Sequence, residues 1–225
     1  MRRKLTIAID GPAGAGKSTI ARQVAQRLGY MNLESGAMYR ALGLKALREG
    51  VSPEDEAGLL RLAERSRIEL EPASEGNRVL LDGNDVSQAI RQAEVADAAS
   101  RLSVHPQVRV WMVDRQREMG AGGGVVMEGR DIGTKVFPNA EVKIFLEASP
   151  EVRAVRRILQ EGGDAGDPAK LRAMAGEIRQ RDERDRNRSA SPLVAAPDAI
   201  TVDSSSLSID EVVERVLALV RARAK

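Results

Sequence analysis

Apolar positions along this chain follow two rhythms. Short, mostly apolar runs stand at residues 5–9, 125–127, 141–146 and 199–203, and longer stretches with apolar positions every three or four residues lie between them. The short runs read as strands buried on both faces, the longer ones as helices with one apolar stripe. The first helix is expected over 17–28, where Ile20, Val24 and Leu28 recur at i, i+4 and i+8 and Gly29 stands as a stop. A short strand at 30–33 leads to Ser35, placed as an N-cap for a helix over 36–49 that Gly50 ends. Ser52-Pro53 predicts the opening of a third helix over about 54–64.

From residue 66 the rhythm changes. Polar and apolar residues alternate at 67–71 and less cleanly at 77–81, and Asp82-Gly83-Asn84 is a turn signal. The stretch 66–87 therefore predicts a small antiparallel unit. A helix over 88–104, a break at His105-Pro106 and a further helix to Met119 follow. The strand at 125–127 ends in Glu128-Gly129-Arg130-Asp131. Ser149-Pro150 opens a helix over 151–159, residues 161–168 have the composition of a mobile loop, and a polar helix covers about 169–188. Ser208 and Glu211 form a capping box for the last helix, whose stripe is Ile209, Val212, Val213, Val216 and Val220. Strands alternating with helices predict an α/β fold with a doubly wound parallel sheet and ligands at the strands' carboxyl ends. The core is expected at 1–65 and 106–225 with a lid at about 160–170, and the inserted unit at 66–105.

The first strand runs into Gly11-Pro12-Ala13-Gly14-Ala15-Gly16-Lys17-Ser18-Thr19, which fits the P-loop pattern G-x-x-x-x-G-K-[ST] in full. Glycines let backbone N–H groups approach a phosphate, and the following helix points its N-terminus at the same anion. Lys17 can reach the β- and γ-phosphates, and the Ser18 hydroxyl can ligate Mg²⁺. An ordinary glycine-rich turn is the alternative, and the strand–loop–helix context argues against it.

Composition narrows the rest. The 225 residues include no Cys and one His, His105, so disulfides, thiolate metal sites and multi-histidine sites are excluded. No run of about 18 apolar residues exists, and the basic start Met1-Arg2-Arg3-Lys4 lacks the apolar core of a signal peptide. A cytoplasmic protein is expected. Net charge is only +2 and aromatics are 2%, too little for a nucleic-acid surface. Several arginines nevertheless cluster around 153–157 and 179–188, and arginine suits a planar grip on phosphate.

A second site can be assembled from four stretches: Ser35-Gly-Ala-Met-Tyr39-Arg40, Glu128-Gly-Arg130-Asp131, Ser100 with Arg109, and the charged run 179–188. Alternating charge on a helix is usually a solvated face. Here Arg181, Arg184, Asp185 and Arg188 fall at i, i+3, i+4 and i+7 and share one face. Beside a P-loop, such a face is read as a phosphate grip.

The motifs Gly-Pro-Ala-Gly-Ala-Gly-Lys-Ser, Glu-Ser-Gly-Ala-Met-Tyr-Arg, Glu-Gly-Arg-Asp-Ile-Gly-Thr-Lys-Val-Phe-Pro and Arg-Asp-Glu-Arg-Asp-Arg-Asn-Arg, in this order, resemble the bacterial cytidylate kinases over nearly the whole chain. The resemblance implies a P-loop nucleoside monophosphate kinase fold: a five-stranded parallel sheet with helices on both faces, an inserted monophosphate-binding domain and a mobile lid. It implies phosphoryl transfer from ATP to CMP or dCMP by a monomer that uses Mg²⁺ and binds neither nucleic acid nor membrane. Asp131 would accept from the cytosine amino group, with Arg109 and Ser100 on the same base. Arg40, Arg130 and Arg188 would hold the acceptor phosphate, with Ser35 and Tyr39 in the same pocket and Arg181 and Asp185 on the pentose. Arg153, Arg156 and Arg157 are candidates for neutralising the transferred phosphoryl group. Glu128 stands where many relatives carry Asp. A P-loop GTPase would need an Asn-Lys-x-Asp motif, which this chain lacks. A kinase of another small metabolite or nucleotide is the nearest alternative.

Overall fold

The computed structural model describes residues 4–73, 76–188 and 190–223, so the basic opening Met1-Arg2-Arg3 lies outside the described residues. In chain order the first elements are β1 (Thr6–Asp10), α1 (Lys17–Leu28), β2 (Met31–Glu34), α2 (Ser35–Arg48), α3 (Glu56–Glu64), β3 (Ile68–Ala73), β4 (Gly76–Leu81) and β5 (Asn84–Asp85). They are followed by α4 (Ala93–Leu102), α5 (Pro106–Gly120), β6 (Val125–Gly129), β7 (Val142–Glu147), α6 (Pro150–Gln160), α7 (Pro168–Asn187), β8 (Ile200–Asp203) and α8 (Ile209–Arg223).

β6, β1 and β7 are buried because they pair on both edges and are covered on both faces, whereas β8 is an edge strand of which only Val202 is buried. β1 lies between β6 and β7 in a parallel sheet of order β2–β6–β1–β7–β8, with Ile7 opposite both Val126 and Val142. Parallel pairing requires crossovers, and the helices supply them and cover the faces. On one face α1 and α8 bury Ile20, Val24, Val212, Val213, Val216 and Val220 against Ile7, Ile9 and Ile144. Each such side chain contributes about 1.5–3 kcal/mol by leaving water. On the other face Ala8, Leu33 and Met127 meet Ile132 and Val136.

A second sheet, β3–β4–β5, is antiparallel. Its buried residues Ile68, Val79 and Leu81 join one apolar cluster with α2, α3, α4 and α5. The inserted strands are therefore packed on helices of the flanking chain. Asn77 of β4 also reaches the edge of β2: its amide donates to the Asn32 carbonyl at 2.8 Å and accepts from the Glu34 N–H at 3.3 Å.

Several local expectations need correction. The third helix starts at Glu56, because the Asp55 carboxylate caps it by accepting from Gly58 N–H, whereas Ser52 and Pro53 form the turn before it. The stretch 88–104 is not one helix: Gln92 is extended and separates a single 3₁₀ turn, Ala89–Arg91, from α4. A π-helical turn, Ile132–Val136, follows β6 with no periodic signal in the sequence. The Ser208–Glu211 capping box forms, but Ile209 is 50% exposed and does not belong to the buried stripe of α8.

Candidate active site

The carboxyl ends of β1, β2, β6 and β7 place the site. β1 ends at Asp10 and the chain turns through the glycine-rich loop into α1. Gly11 has φ +145°, and a Cβ there would stand 2.0 Å from the Leu146 carbonyl oxygen, so the loop rests directly on β7. Gly16 ends the loop in the left-handed region, and no side chain caps the first turn of α1. The N–H groups of that turn thus form an anion-binding cradle. Lys17 is buried at the cradle's floor and donates from Nζ to the Pro12 carbonyl at 2.7 Å. Burial, then the charge of Arg130, pulls the Lys17 pKa down to about 7. Ser18 stands exposed at the mouth, and its hydroxyl donates to Glu128 Oε1 at 3.1 Å. Oxygen donors of this kind suit a hard divalent cation such as Mg²⁺. Among the described residues no three acidic or histidine side chains gather to hold a metal alone. An ion here would need further oxygens from a bound phosphate.

Facing the loop is a ring of cations. Arg130, at the end of β6, donates from Nε to Asp185 Oδ2 of α7 at 2.9 Å. Arg188 lies 3.8 Å from the other oxygen of Asp185, so this one carboxylate bridges two arginines. Burial alone would raise the Asp185 pKa, but the charge and hydrogen bond of Arg130 outweigh it and hold it below the ordinary value. Arg181 makes no ion pair among the described residues: burial and the neighbouring charge of Arg130 outweigh the charge of Asp185 and pull its pKa down to about 10. Arg188 is lowered by burial and by Arg109. Arg40 makes a long 3.9 Å contact with Glu34, whose own pKa is raised by burial and by Glu128. Buried nitrogens on Arg40, Arg181 and Arg188 lack a hydrogen-bond partner among the described residues. Buried donors without acceptors, gathered among other cations, are what a polyanion site looks like before the anion arrives.

Beyond the ring, Asp131 is buried and paired with Arg109 of α5, whose Nη2 donates to Asp131 Oδ2. A second nitrogen of Arg109 donates to the Ser103 carbonyl at 3.0 Å, and its guanidinium lies 5.5 Å from the centre of the Tyr39 ring. Burial pushes the Tyr39 phenol up to about 12. Ser100 is half-buried on α4, and its carbonyl accepts from the Ser103 hydroxyl, beside the Arg109 contact. Ser35 is buried and turned to the sheet, where its hydroxyl donates to the Glu128 carbonyl at 2.8 Å.

The structure thus brings Tyr39, Arg40, Arg109, Arg130, Asp131, Arg181, Asp185 and Arg188 around one crevice with Lys17. Of the charged face on α7, Arg184 stays exposed, and Asp182 turns inward instead. The three arginines of α6 go separate ways. Arg153 is buried, and each of its guanidinium nitrogens donates to a protein oxygen: the Ala148 carbonyl, the Ala13 carbonyl of the glycine-rich loop, and Asp182 at 2.6 Å. Arg156 binds Ser204, whose hydroxyl in turn reaches the Ala15 carbonyl. Arg157 is half-exposed and paired with Glu161, and its charge reaches Arg181. Sequence spacing does not single out Asp10, Ser103 or Asp182. Asp10 had one signal, a charge at the end of a strand otherwise apolar.

With this geometry in hand, the comparisons with known proteins are direct. The family model described as Cytidylate kinase matches residues 7–222. A curated cytidylate kinase of Geobacillus kaustophilus is 52% identical over 223 residues, covering 99% of both chains. One of Solibacter usitatus is 50% identical over 99% of this chain and 94% of its own. Among solved structures, a shikimate kinase from Bacteroides thetaiotaomicron superposes with a TM-score of 0.51 at 15% identity, over 97% of this chain and 99% of that one, which speaks for the fold alone.

Proposed function

This chain belongs to the cytidylate kinase family, and from that premise we propose how its residues share the reaction. The enzyme transfers the γ-phosphoryl group of ATP to CMP or dCMP, giving CDP or dCDP. The observation that carries the assignment is the gathering of cations beside the glycine-rich loop: the charge of Arg130 lowers the pKa of both Lys17 and Arg181, and buried nitrogens on Arg181 and Arg188 lack a partner among the described residues. Two phosphate chains meeting there would relieve all of them.

Residues 11–19 cradle the triphosphate through backbone N–H groups, and Lys17 follows the β- and γ-oxygens. Ser18, whose hydroxyl is oriented by Glu128, would be the protein ligand for Mg²⁺, and the ion would supply neutralisation of phosphate charge. Arg40, Arg130 and Arg188 hold the acceptor phosphate, and Arg181 and Asp185 the pentose. Asp131 accepts from the cytosine amino group while Arg109 donates to the ring acceptors, with Ser100 and Tyr39 completing the base pocket. The acceptor is already an anion, so positioning and charge stabilisation carry the step and no general base is needed. Arg157, beside Arg181, is best placed to meet the transferred phosphoryl group. Arg153 and Arg156 hold the glycine-rich loop from behind.

Uracil would offer a carbonyl to Asp131, leaving a buried acceptor unpaired at about 1–3 kcal/mol, or roughly fivefold to 150-fold in preference. The segment at about 160–170 closes as a lid over both nucleotides and the insertion at 66–105 closes on the acceptor, in a cytoplasmic monomer that needs neither membrane nor nucleic acid. No described helix is long and apolar enough to cross a membrane. Steady-state phosphorylation of CMP, dCMP, UMP and AMP with ATP tests the base reading. CMP or dCMP is expected to give the highest kcat/KM, and a higher value for UMP or AMP overturns the role of Asp131.

A further inference from the structure

Asp10 closes β1 one residue before the glycine-rich loop, and it is 4% exposed. A carboxylate taken out of water must find donors. Its donors come from a distant segment: Oδ1 accepts the Ile132 N–H at 2.8 Å and Oδ2 the Gly133 N–H at 2.7 Å. These two residues open the π-helical turn directly after Asp131. The Asp131 carbonyl in turn accepts from the N–H groups of Lys135 at 2.8 Å and Val136 at 3.2 Å. The backbone around Asp131 is thus held from both ends of the turn, and one of those ends stands on Asp10. The packing is close: a Cβ on Gly133 would lie 3.3 Å from Asp10 Oδ2. Burial pushes the Asp10 pKa up to about 6 against the pull of the two amide bonds, and the charge of Asp131 is near enough to raise it further.

We propose that Asp10 is a positioning residue for base selection: by clamping the Ile132 and Gly133 amides it fixes the direction in which Asp131 and Arg109 meet the acceptor base. The inference rests on the reading of Asp131 as the base-contacting carboxylate. It also gives β1 two tasks, since the strand that ends in the triphosphate loop carries the support for the base pocket. An error of a fraction of an ångström at Asp131 would be shared by every base, but it hurts most the one whose amino group needs that carboxylate.

The test compares kcat/KM for CMP and UMP in the wild type, Asp10→Asn, Gly133→Ala and Asp131→Ala. Asparagine keeps the shape of Asp10 but turns a donor toward one of the two amides. The expected result for Asp10→Asn is a fall in the CMP/UMP ratio of about fivefold or more, carried by KM for CMP, with KM for ATP within about threefold of wild type. A smaller fall in the ratio, with CMP and UMP losing activity together or with ATP binding alone impaired, overturns the proposal. If Asp10→Asn does not fold, Gly133→Ala decides by the same criterion, because its methyl group presses on the same carboxylate and leaves the glycine-rich loop intact. Asp131→Ala separates the two ideas. If it leaves the ratio unchanged, the base reading itself fails. If it collapses the ratio while Asp10→Asn and Gly133→Ala do not, only the role of Asp10 is lost.

Discussion

The two halves of the crevice are built in opposite ways. The triphosphate side is local: residues 11–19 are consecutive, and the cradle is backbone between one strand and one helix. The side proposed for the acceptor is collected from α2, α4, α5, the end of β6 and the end of α7, with Tyr39 and Arg188 almost 150 positions apart. A local site can work through main-chain N–H groups, because phosphate is the same in every nucleotide. A site that must tell one base from another needs side chains of particular type aimed from several directions, and only a packed core can aim them. The difference predicts that damage on the local side should spoil catalysis for all acceptors alike, and damage on the assembled side should spoil choice.

The largest effect is expected where the halves touch. Arg153 joins the glycine-rich loop at Ala13 to α7 at Asp182, and both members of the pair are buried. Arg153→Ala leaves Asp182 uncompensated in the interior and should destabilise the fold by about 3–5 kcal/mol. Urea unfolding monitored by circular dichroism measures it. The double variant Arg153→Met, Asp182→Leu should recover most of the loss, since no buried charge then remains. If Arg153→Ala costs little, the two halves are not coupled through this pair.

Next is the local side. Lys17→Ala should lower kcat by about 10²–10³, the range seen when one preorganised stabilising group is removed. CMP and UMP should lose the same factor, which leaves their ratio unchanged. A change in that ratio would break the division between a catalytic loop and a selective ring.

These cases also mark what could be read from the sequence. The loop motif was legible down to the residue because its chemistry follows from spacing along the chain. So were the three central strands β6, β1 and β7, whose apolar runs are buried, whereas the edge strand β8 keeps three of its four residues exposed. Arg130, Asp131, Arg181, Asp185 and Arg188 were legible as candidates through resemblance and helical spacing, and the structure does gather them. Spacing could not say that Arg184 turns to solvent while Asp182 turns in, because an unbroken charged run, 181–186, offers more than one possible inward face and the packing of α6 selects one. Nor could it find the link from Asp10 to the turn after Asp131, a contact between residues more than 120 positions apart that involves only backbone N–H groups on one side. The helix break at Gln92 was hidden for a similar reason, since nothing in that stretch carries Pro or Gly.

On the assembled side, Asp131→Ala should raise KM for CMP by roughly tenfold or more and narrow the CMP/UMP gap, with KM for ATP little altered. Arg109 would then lose its buried partner, so part of the loss should appear as lower stability, of order 3 kcal/mol. Comparing the two acceptors in the same variant removes that shared part and leaves the base-reading term.

The smallest effect is a matter of pH and tests the tie between the halves without any substrate. The Asp10 pKa is raised in the folded protein to about 6 from an ordinary 3.8, with burial as the largest cause and Asp131 and Lys17 as the charged neighbours acting in opposite directions. A carboxyl whose folded pKa is raised favours the fold when protonated, so its contribution is full below the unfolded pKa and is lost as pH rises through the folded one. Acidifying from pH 7.5 to 5.5 should therefore move the stability of the wild type, relative to Asp10→Asn, upward by about 1 kcal/mol. Denaturant unfolding of both proteins at the two pH values measures this difference, and the subtraction cancels every carboxylate the two share. A flat difference would mean that Asp10 is held by its two amides strongly enough to stay ionised throughout, and that the clamp is tighter than its burial alone would allow.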